Sequence, residues 1–196
     1  MKLIYTISAP SGTGKSTLCN AILKEIPELS FSVSYTTRLQ RDNEINGVDY
    51  HFISHSEFQS MIDKQQFAEY EGVHGQFYGT LKSSLDDSMI KGNPLLLELD
   101  VKGAMSVKEL YPEKTLSIFV KPPSEEVLRL RLERRGTDDK ALIKKRLTRI
   151  HMELEYGKMF DVSFINDDLE IAIKELKHII LTELKVKIHE YYTDLL

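Results

Sequence analysis

With 196 residues the chain has room for one sizeable domain whose lobes could move separately. Hydrophobic residues at 41% and charged residues at 29% give an ordinary globular composition, and a net charge of −4 with a pI near 5.9 excludes a global field that recruits nucleic acid. No apolar run can span a bilayer, the lone Cys19 excludes an internal disulfide, and an amino terminus that enters a strand at once leaves no room for a signal peptide, so a cytoplasmic protein is expected.

The first predicted element is a buried strand at Leu3-Ile4-Tyr5-Thr6-Ile7. From Ala9 to Thr17 the chain then reads A-P-S-G-T-G-K-S-T, and Ser16 to Leu23 suits a helix. Strand, glycine-bearing turn and helix form the setting of a phosphate-binding loop. Gly12 and Gly14 allow the backbone to bend so that successive N–H groups face an anion, and the helix N-terminus adds its partial positive charge. The candidate nucleotide contacts are Ala9, Pro10, Ser11, Gly12, Thr13, Gly14, Lys15, Ser16 and Thr17. Lys15 can reach terminal phosphates, and the Ser16 hydroxyl can ligate Mg²⁺. Ala9 stands where such loops usually carry their first glycine. Pro27 ends the helix, whose Leu18, Ile22 and Ile26 form an apolar stripe, and Cys19 on it is expected to pack in the core.

Between Phe31 and about Thr80 the pattern changes. Alternating residues, the Asn46-Gly47 turn and frequent aromatics predict a small antiparallel sheet, inserted where a second substrate could bind. Three further core strands follow, at Pro94 to Asp100, Thr115 to Val120 and Asp161 to Ile165. Helices are predicted at Lys102 to Leu110, Ser124 to Arg135, Lys140 to Tyr156, and Leu169 to about Tyr191. The alternation specifies an α/β fold, doubly wound about a parallel sheet with helices on both faces.

The insertion carries the second set of chemical groups. Arg38 and Arg41 lie in S-Y-T-T-R-L-Q-R, and with Tyr50 and Tyr78 they can clamp a monoester phosphate. Glu69 in F-A-E-Y is an acceptor-only group when ionised, which suits the adjacent N1–H and N2–H₂ donors of guanine and not adenine. Ser34 and Thr80 supply hydroxyls nearby. His51, His55 and His74 show no metal-ligand spacing and read as surface or turn residues. The run Lys144-Lys145-Arg146 reads by spacing alone as a solvated helix face, and the carboxy-terminal helix as core packing.

Taken together, S-A-P-S-G-T-G-K-S-T-L, V-S-Y-T-T-R-L-Q-R, G-V-D-Y-H-F, F-A-E-Y, G-Q-F-Y-G-T, L-E-L-D-V-K-G-A, L-E-R-R-G, K-K-R-L and I-N-D-D resemble, in order and over essentially the whole chain, the guanylate kinase family. The resemblance implies a P-loop NTPase-type core, a GMP-binding insertion and a helical lid within a single domain, 1–196. The core would comprise 1–30, 90–130 and 155–196, the insertion 31–89 and the lid 131–154. It implies ATP and GMP as substrates, Mg²⁺ with the ATP, and no nucleic-acid or membrane partner, in a monomer or homo-oligomer. By position, Ser34, Glu69, Thr80 and Asp100 would contact guanine. Arg38, Arg41, Tyr50 and Tyr78 would hold the GMP phosphate. Arg135 and Arg146 would reach the transferring group with Lys15 and Arg41, with Arg131 and Arg149 as weaker candidates, and Asn166 and Asp167 would meet adenine. One position departs from the family: L-D-I-D is L-E-L-D here, placing Glu98 where an aspartate is usual. Two other readings stay open at this point. One is a sugar-phosphate kinase on the same scaffold, and the other is a silent phosphopeptide-binding module.

Overall fold

A computed structural model describes residues 2–73, 75–134 and 140–193, with side chains left out at 132, 134, 140–147 and 185–193. Chain order begins with β1 (Ile4–Ser8), α1 (Lys15–Glu25) and β2 (Ser30–Phe31). The insertion follows as β3 (Tyr35–Thr36), β4 (His51–Phe52), α2 (His55–Asp63), β5 (Phe67–Val73), β6 (Gln76–Leu81) and α3 (Lys82–Lys91). The chain then returns through β7 (Leu95–Glu98), α4 (Val101–Leu110), β8 (Thr115–Lys121), α5 (Glu125–Arg134), α6 (Lys140–Gly157), β9 (Val162–Ile165) and α7 (Leu169–Thr193).

The core sheet runs β2-β7-β1-β8-β9, all parallel. Its strands are apolar on both faces because each face is covered by helices. Alternate residues of one strand therefore enter different cores. Tyr5, Ile7, Leu96, Ile118 and Val120 pack against α1 and α7, through Leu18, Ile22, Leu176 and Ile180. Ile4, Leu95, Leu97 and Phe119 pack against α3 and α4, through Leu85, Ala104 and Val107. Cys19 is buried in the first core, and burial pushes its thiol well above the ordinary range, so it is a packing residue. Among the described residues no helix is long and apolar enough to cross a membrane.

The insertion forms a second sheet, ordered β4-β3-β6-β5. The β5–β6 and β3–β6 pairs are antiparallel, whereas β3 and β4 run parallel. The Asn46-Gly47 turn does form, with Gly47 at φ +79° and its N–H bonded to the Tyr50 carbonyl, but it delivers β4 alongside β3 in the same direction instead of closing a hairpin. A separate aromatic core supports this sheet. Phe58 of α2 is fully buried, with ring centroids 4.4 Å from Phe67 and 5.4 Å from Phe77.

Periodicity did not announce three elements. The first, β2, is an edge strand of only two residues. The second, α2, has a readable start: Ser54 and Glu57 form a reciprocal capping box. The third, α3, buries only Leu85 and Ser88, too little for an amphipathic stripe.

The carboxyl end of α6 reaches the core at Gly157, where a Cβ would sit 2.3 Å from the Phe119 ring. Phe119 is fully buried against Phe160 and cannot yield freely. Gly157→Ala is expected to destabilise the protein by roughly 1–3 kcal/mol through overpacking. A thermal melt should show a Tm lower by several degrees; an unchanged Tm would mean that the ring has space to move.

Candidate active site

At the carboxyl ends of β1 and β7 the chain turns into its two functional loops. Gly12 at φ +90° and Gly14 at φ +96° provide the left-handed residues that the phosphate loop needs, and Thr13 N–H closes the turn onto the Pro10 carbonyl at 3.1 Å. Gly14 is also the N-cap of α1, with no side chain to occupy the first amides of the helix. Those amides remain directed outward as an anion site. Lys15 Nζ donates to the Leu99 carbonyl at 2.8 Å, and Ser16 Oγ donates to Glu98 Oε1 at 2.7 Å. The glutamate that departs from the family aspartate thus reaches the Ser16 hydroxyl directly. A hydroxyl paired with a carboxylate is an oxygen donor set that suits a hard cation such as Mg²⁺.

A cleft of about 280 Å³ opens from Lys15 and Glu98 toward the insertion, lined there by Ser34, Tyr50, Glu69, Tyr78 and Asp100. It gathers six of the expected site residues. Glu69 points in from β5, just past an irregularity in the β5–β6 register between Phe67 and Glu69 that re-aims the strand. Its Oε2 lies so close to α4 that a Cβ on Gly103 would stand 2.7 Å from it. Gly103 is therefore what admits the carboxylate, and its N–H meanwhile donates to Asp100 Oδ1 at 2.8 Å, capping α4. Burial pushes the Glu69 carboxyl up to about 7; Thr80 opposes the shift and the neighbouring Asp100 adds to it.

Arg38 adjoins the cleft behind Tyr50, and Arg41 follows it in the same loop. Arg38 makes a two-pronged bond to Glu44, with Nη1 to Oε2 at 2.9 Å and Nη2 to Oε1 at 2.7 Å. Its guanidinium sits 5.4 Å from the centroid of Tyr50 and 5.6 Å from that of Phe52. Tyr78 is 5.8 Å from Tyr50, ring to ring. Arg41 is 75% exposed; its backbone N–H donates to Glu44 Oε2 at 2.9 Å and its Nη1 is 3.9 Å from Oε1. Glu44 thus organises both cations, and sequence reasoning passed over it. Its signal was local: an acid three residues after Arg41 and six after Arg38.

Two further arginines have defined partners. Arg149 of α6 pairs with Asp100 Oδ2 at 3.1 Å and lies 3.0 Å from Glu153, whose carboxyl is raised by burial. Arg131 of α5 donates to the carbonyls of Asn166 at 3.1 Å and Asp167 at 3.3 Å. Asn166 is buried behind the phosphate loop, and Asp167 is exposed beside it. Arg135 lies outside the described residues, as does the Arg146 side chain. His51 stacks on Tyr35 at 4.4 Å and His55 meets the Phe77 ring edge, both as packing groups; His74 is outside the described residues.

Comparison with known proteins gives one answer. The guanylate kinase family profile matches residues 1–183. A guanylate kinase of Chlorobium luteolum is 46% identical over 171 residues, 87% of this chain and 87% of the relative. One of Salinibacter ruber is 45% identical over 173 residues, 88% and 92% of the two chains. The crystal structure of guanylate kinase from Anaplasma phagocytophilum superposes with a TM-score of 0.77 at 32% identity, over 93% of this chain and 86% of that one.

The Glu69 environment has a consequence for stability. Its folded-state pKa near 7 exceeds the ordinary 4.5, so between these values the folded protein holds a proton that the unfolded chain releases. The stabilisation is complete below the unfolded value and is lost as the pH rises through 7. Carboxyl NMR should find one glutamate titrating near 7 that is missing from Glu69→Gln. Between pH 5 and pH 8 the variant should gain stability relative to the parent in denaturant titrations. A parent–variant difference independent of pH would show that Glu69 is solvated and normal.

Proposed function

The chain belongs to the guanylate kinase family, nucleoside monophosphate kinases that phosphorylate GMP with ATP, and from that premise we propose how its own residues divide the reaction. The observation that carries the reading is the single cleft joining Lys15 of the phosphate loop to Glu69 and Asp100. One end is built for polyphosphate, and the other for a base rich in hydrogen-bond donors.

The loop amides and Lys15 hold the ATP phosphates, and Asp167 with Asn166 lies toward the adenine. Mg²⁺ entering with ATP would be held by Ser16 and Glu98, and it would neutralise charge on the β- and γ-phosphate oxygens. At the acceptor end, ionised Glu69 receives guanine N1–H and N2–H₂, with Ser34, Thr80 and Asp100 completing the base site. Arg38, Arg41, Tyr50 and Tyr78 hold the GMP phosphate. Glu44 presents the Arg38 guanidinium edge-on, committing three of its N–H groups, two to Glu44 and one to the Leu39 carbonyl. The attacking phosphate oxygen is already anionic, so no general base is required. The obstacle is repulsion between two anions, and the arginines offset it. A lid over 131–154, with Arg135 and Arg146, would close on the phosphoryl group and exclude water that would otherwise hydrolyse ATP. A cytoplasmic location, where both nucleotides are available, goes with this chemistry.

Two measurements test the assignment. Lys15→Met should keep the fold and lower kcat by ~10² or more, since a contact to the transferring charge is worth about 3 kcal/mol. Near-normal turnover would take the loop out of the mechanism. ADP release should be followed with GMP, IMP, AMP, UMP and ribose bisphosphate as acceptors, on parent and Glu69→Gln. GMP should lead, IMP should be poor because it lacks the 2-amino group, and AMP should be rejected by ~10⁴ because Glu69 would face a lone pair. Glu69→Gln should depress GMP use while the KM for ATP stays near the parent value. An unchanged ranking and unchanged GMP kcat/KM in the variant would refute guanine recognition by Glu69.

A further inference from the structure

Asn166 stands 153 positions from Thr13 in sequence, yet its Nδ2 donates to the Thr13 carbonyl at 2.7 Å. The residue is 4% exposed. Its backbone N–H donates to the Lys121 carbonyl at 2.9 Å, and its own carbonyl accepts from Arg131 at 3.1 Å. The backbone of Asn166 is thus fixed from β8 and from α5, and its side-chain amide is anchored on the Thr13 carbonyl. It also touches the next loop residue: a Cβ on Gly14 would stand 2.9 Å from Nδ2, at a backbone φ of +96° that already demands glycine.

From this arrangement we infer that Asn166 is a positioning residue of the phosphate loop, acting through the Thr13 carbonyl. In a planar trans peptide the C=O and the following N–H point in opposite directions. Holding the Thr13 oxygen against Asn166 therefore turns the Gly14 N–H away from it, toward the concave side of the loop. Without the amide, nothing among the bonds described above opposes a flip of that peptide, which would bring an oxygen instead of an N–H to a bound phosphate. The resemblance to guanylate kinases gives this residue a different task, contact with adenine. The two roles make opposite demands on a ligand that has phosphates and no base.

The inference rests on the reading that a triphosphate occupies the loop, and inorganic tripolyphosphate with Mg²⁺ separates the two. Calorimetry on the parent should show it binding in competition with ATP; no binding would overturn the phosphate-site reading and the inference with it. Asn166→Ala should then bind tripolyphosphate about tenfold more weakly, the scale of one lost buried hydrogen bond. GMP affinity should hold within about twofold, because the acceptor end is untouched. Unchanged tripolyphosphate affinity would overturn the inference, and weaker binding of adenosine beside it would leave Asn166 as a base contact. A second variant covers the case in which Asn166→Ala does not fold. Asn166→Asp keeps the volume and removes the donor, and hydrogen exchange of the ligand-free protein should be faster at residues 11–16 while β1 stays protected. Loop protection equal to that of the parent would overturn the inference independently of any ligand.

Discussion

Ser8, the last residue of β1, shares its single O–H between the carbonyls of Leu99 and Asp100, each 3.0 Å from Oγ, while Leu99 N–H returns to the Ile7 carbonyl at 3.1 Å. This knot joins the ends of two adjacent parallel strands, and both functional loops begin from it. Lys15 uses the same Leu99 carbonyl, so the phosphate loop and the loop after β7 share one anchor. Ligand clefts of parallel α/β sheets lie outside the carboxyl ends of the strands because loops there diverge from a rigid edge. Here the rigidity comes from strands buried on both faces. Their side chains are divided between two cores, so neither face can shift without disturbing the other.

Charge around the cleft is grouped by sign. Acids gather at the base end, where Glu69 and Asp100 meet next to Glu71, and their mutual repulsion together with burial keeps Glu69 partly protonated near neutrality. The cations Arg38 and Arg41 gather in the loop beside Tyr50, with Glu44 between them. Glu44 lies in a polar, solvent-reached setting, and its bonds to Arg38 hold its pKa down, so it stays ionised as a fixed counter-charge. Two glutamates in one insertion thus differ in protonation because one is desolvated and the other is bridged by guanidinium. Arg149 adds a third element by reaching Asp100 from α6, which ties that helix to the wall of the cleft.

What could be read in the sequence follows from how local each cause is. The phosphate loop was legible because strand, glycines and helix start are contiguous, and the five-stranded core was legible, apart from its short edge β2, because burial on two faces makes apolar runs. Glu69 could be named from the chemistry of guanine, but the reason it fits could not. That reason is the missing Cβ of Gly103 on another helix and a register irregularity in its own strand, both consequences of tertiary contact. Glu44 failed to attract notice because a carboxylate near arginines in a loop is ordinarily a solvated charge. Asn166 was legible as a family position, whereas its bond to Thr13 joins segments that only the sheet brings together. The direction of β4 was illegible for the same reason: an Asn-Gly turn specifies a reversal over a few residues, not the strand against which the chain finally pairs.

The aromatic cluster beneath the insertion has a wider meaning. Phe58 stacks on both Phe67 and Phe77, apart from the two cores of the main sheet, so the insertion carries an aromatic core of its own. A unit that is internally supported can accumulate changes in its pocket without unsettling the machinery that grips the donor. Changes on the insertion's own face of the cleft are then separable from changes in the phosphate loop. The core keeps a hold on that freedom through Gly103 and Asp100, which face Glu69 from α4 and its cap, so a pocket redrawn in the insertion has to be matched there while the phosphate loop is carried forward unaltered.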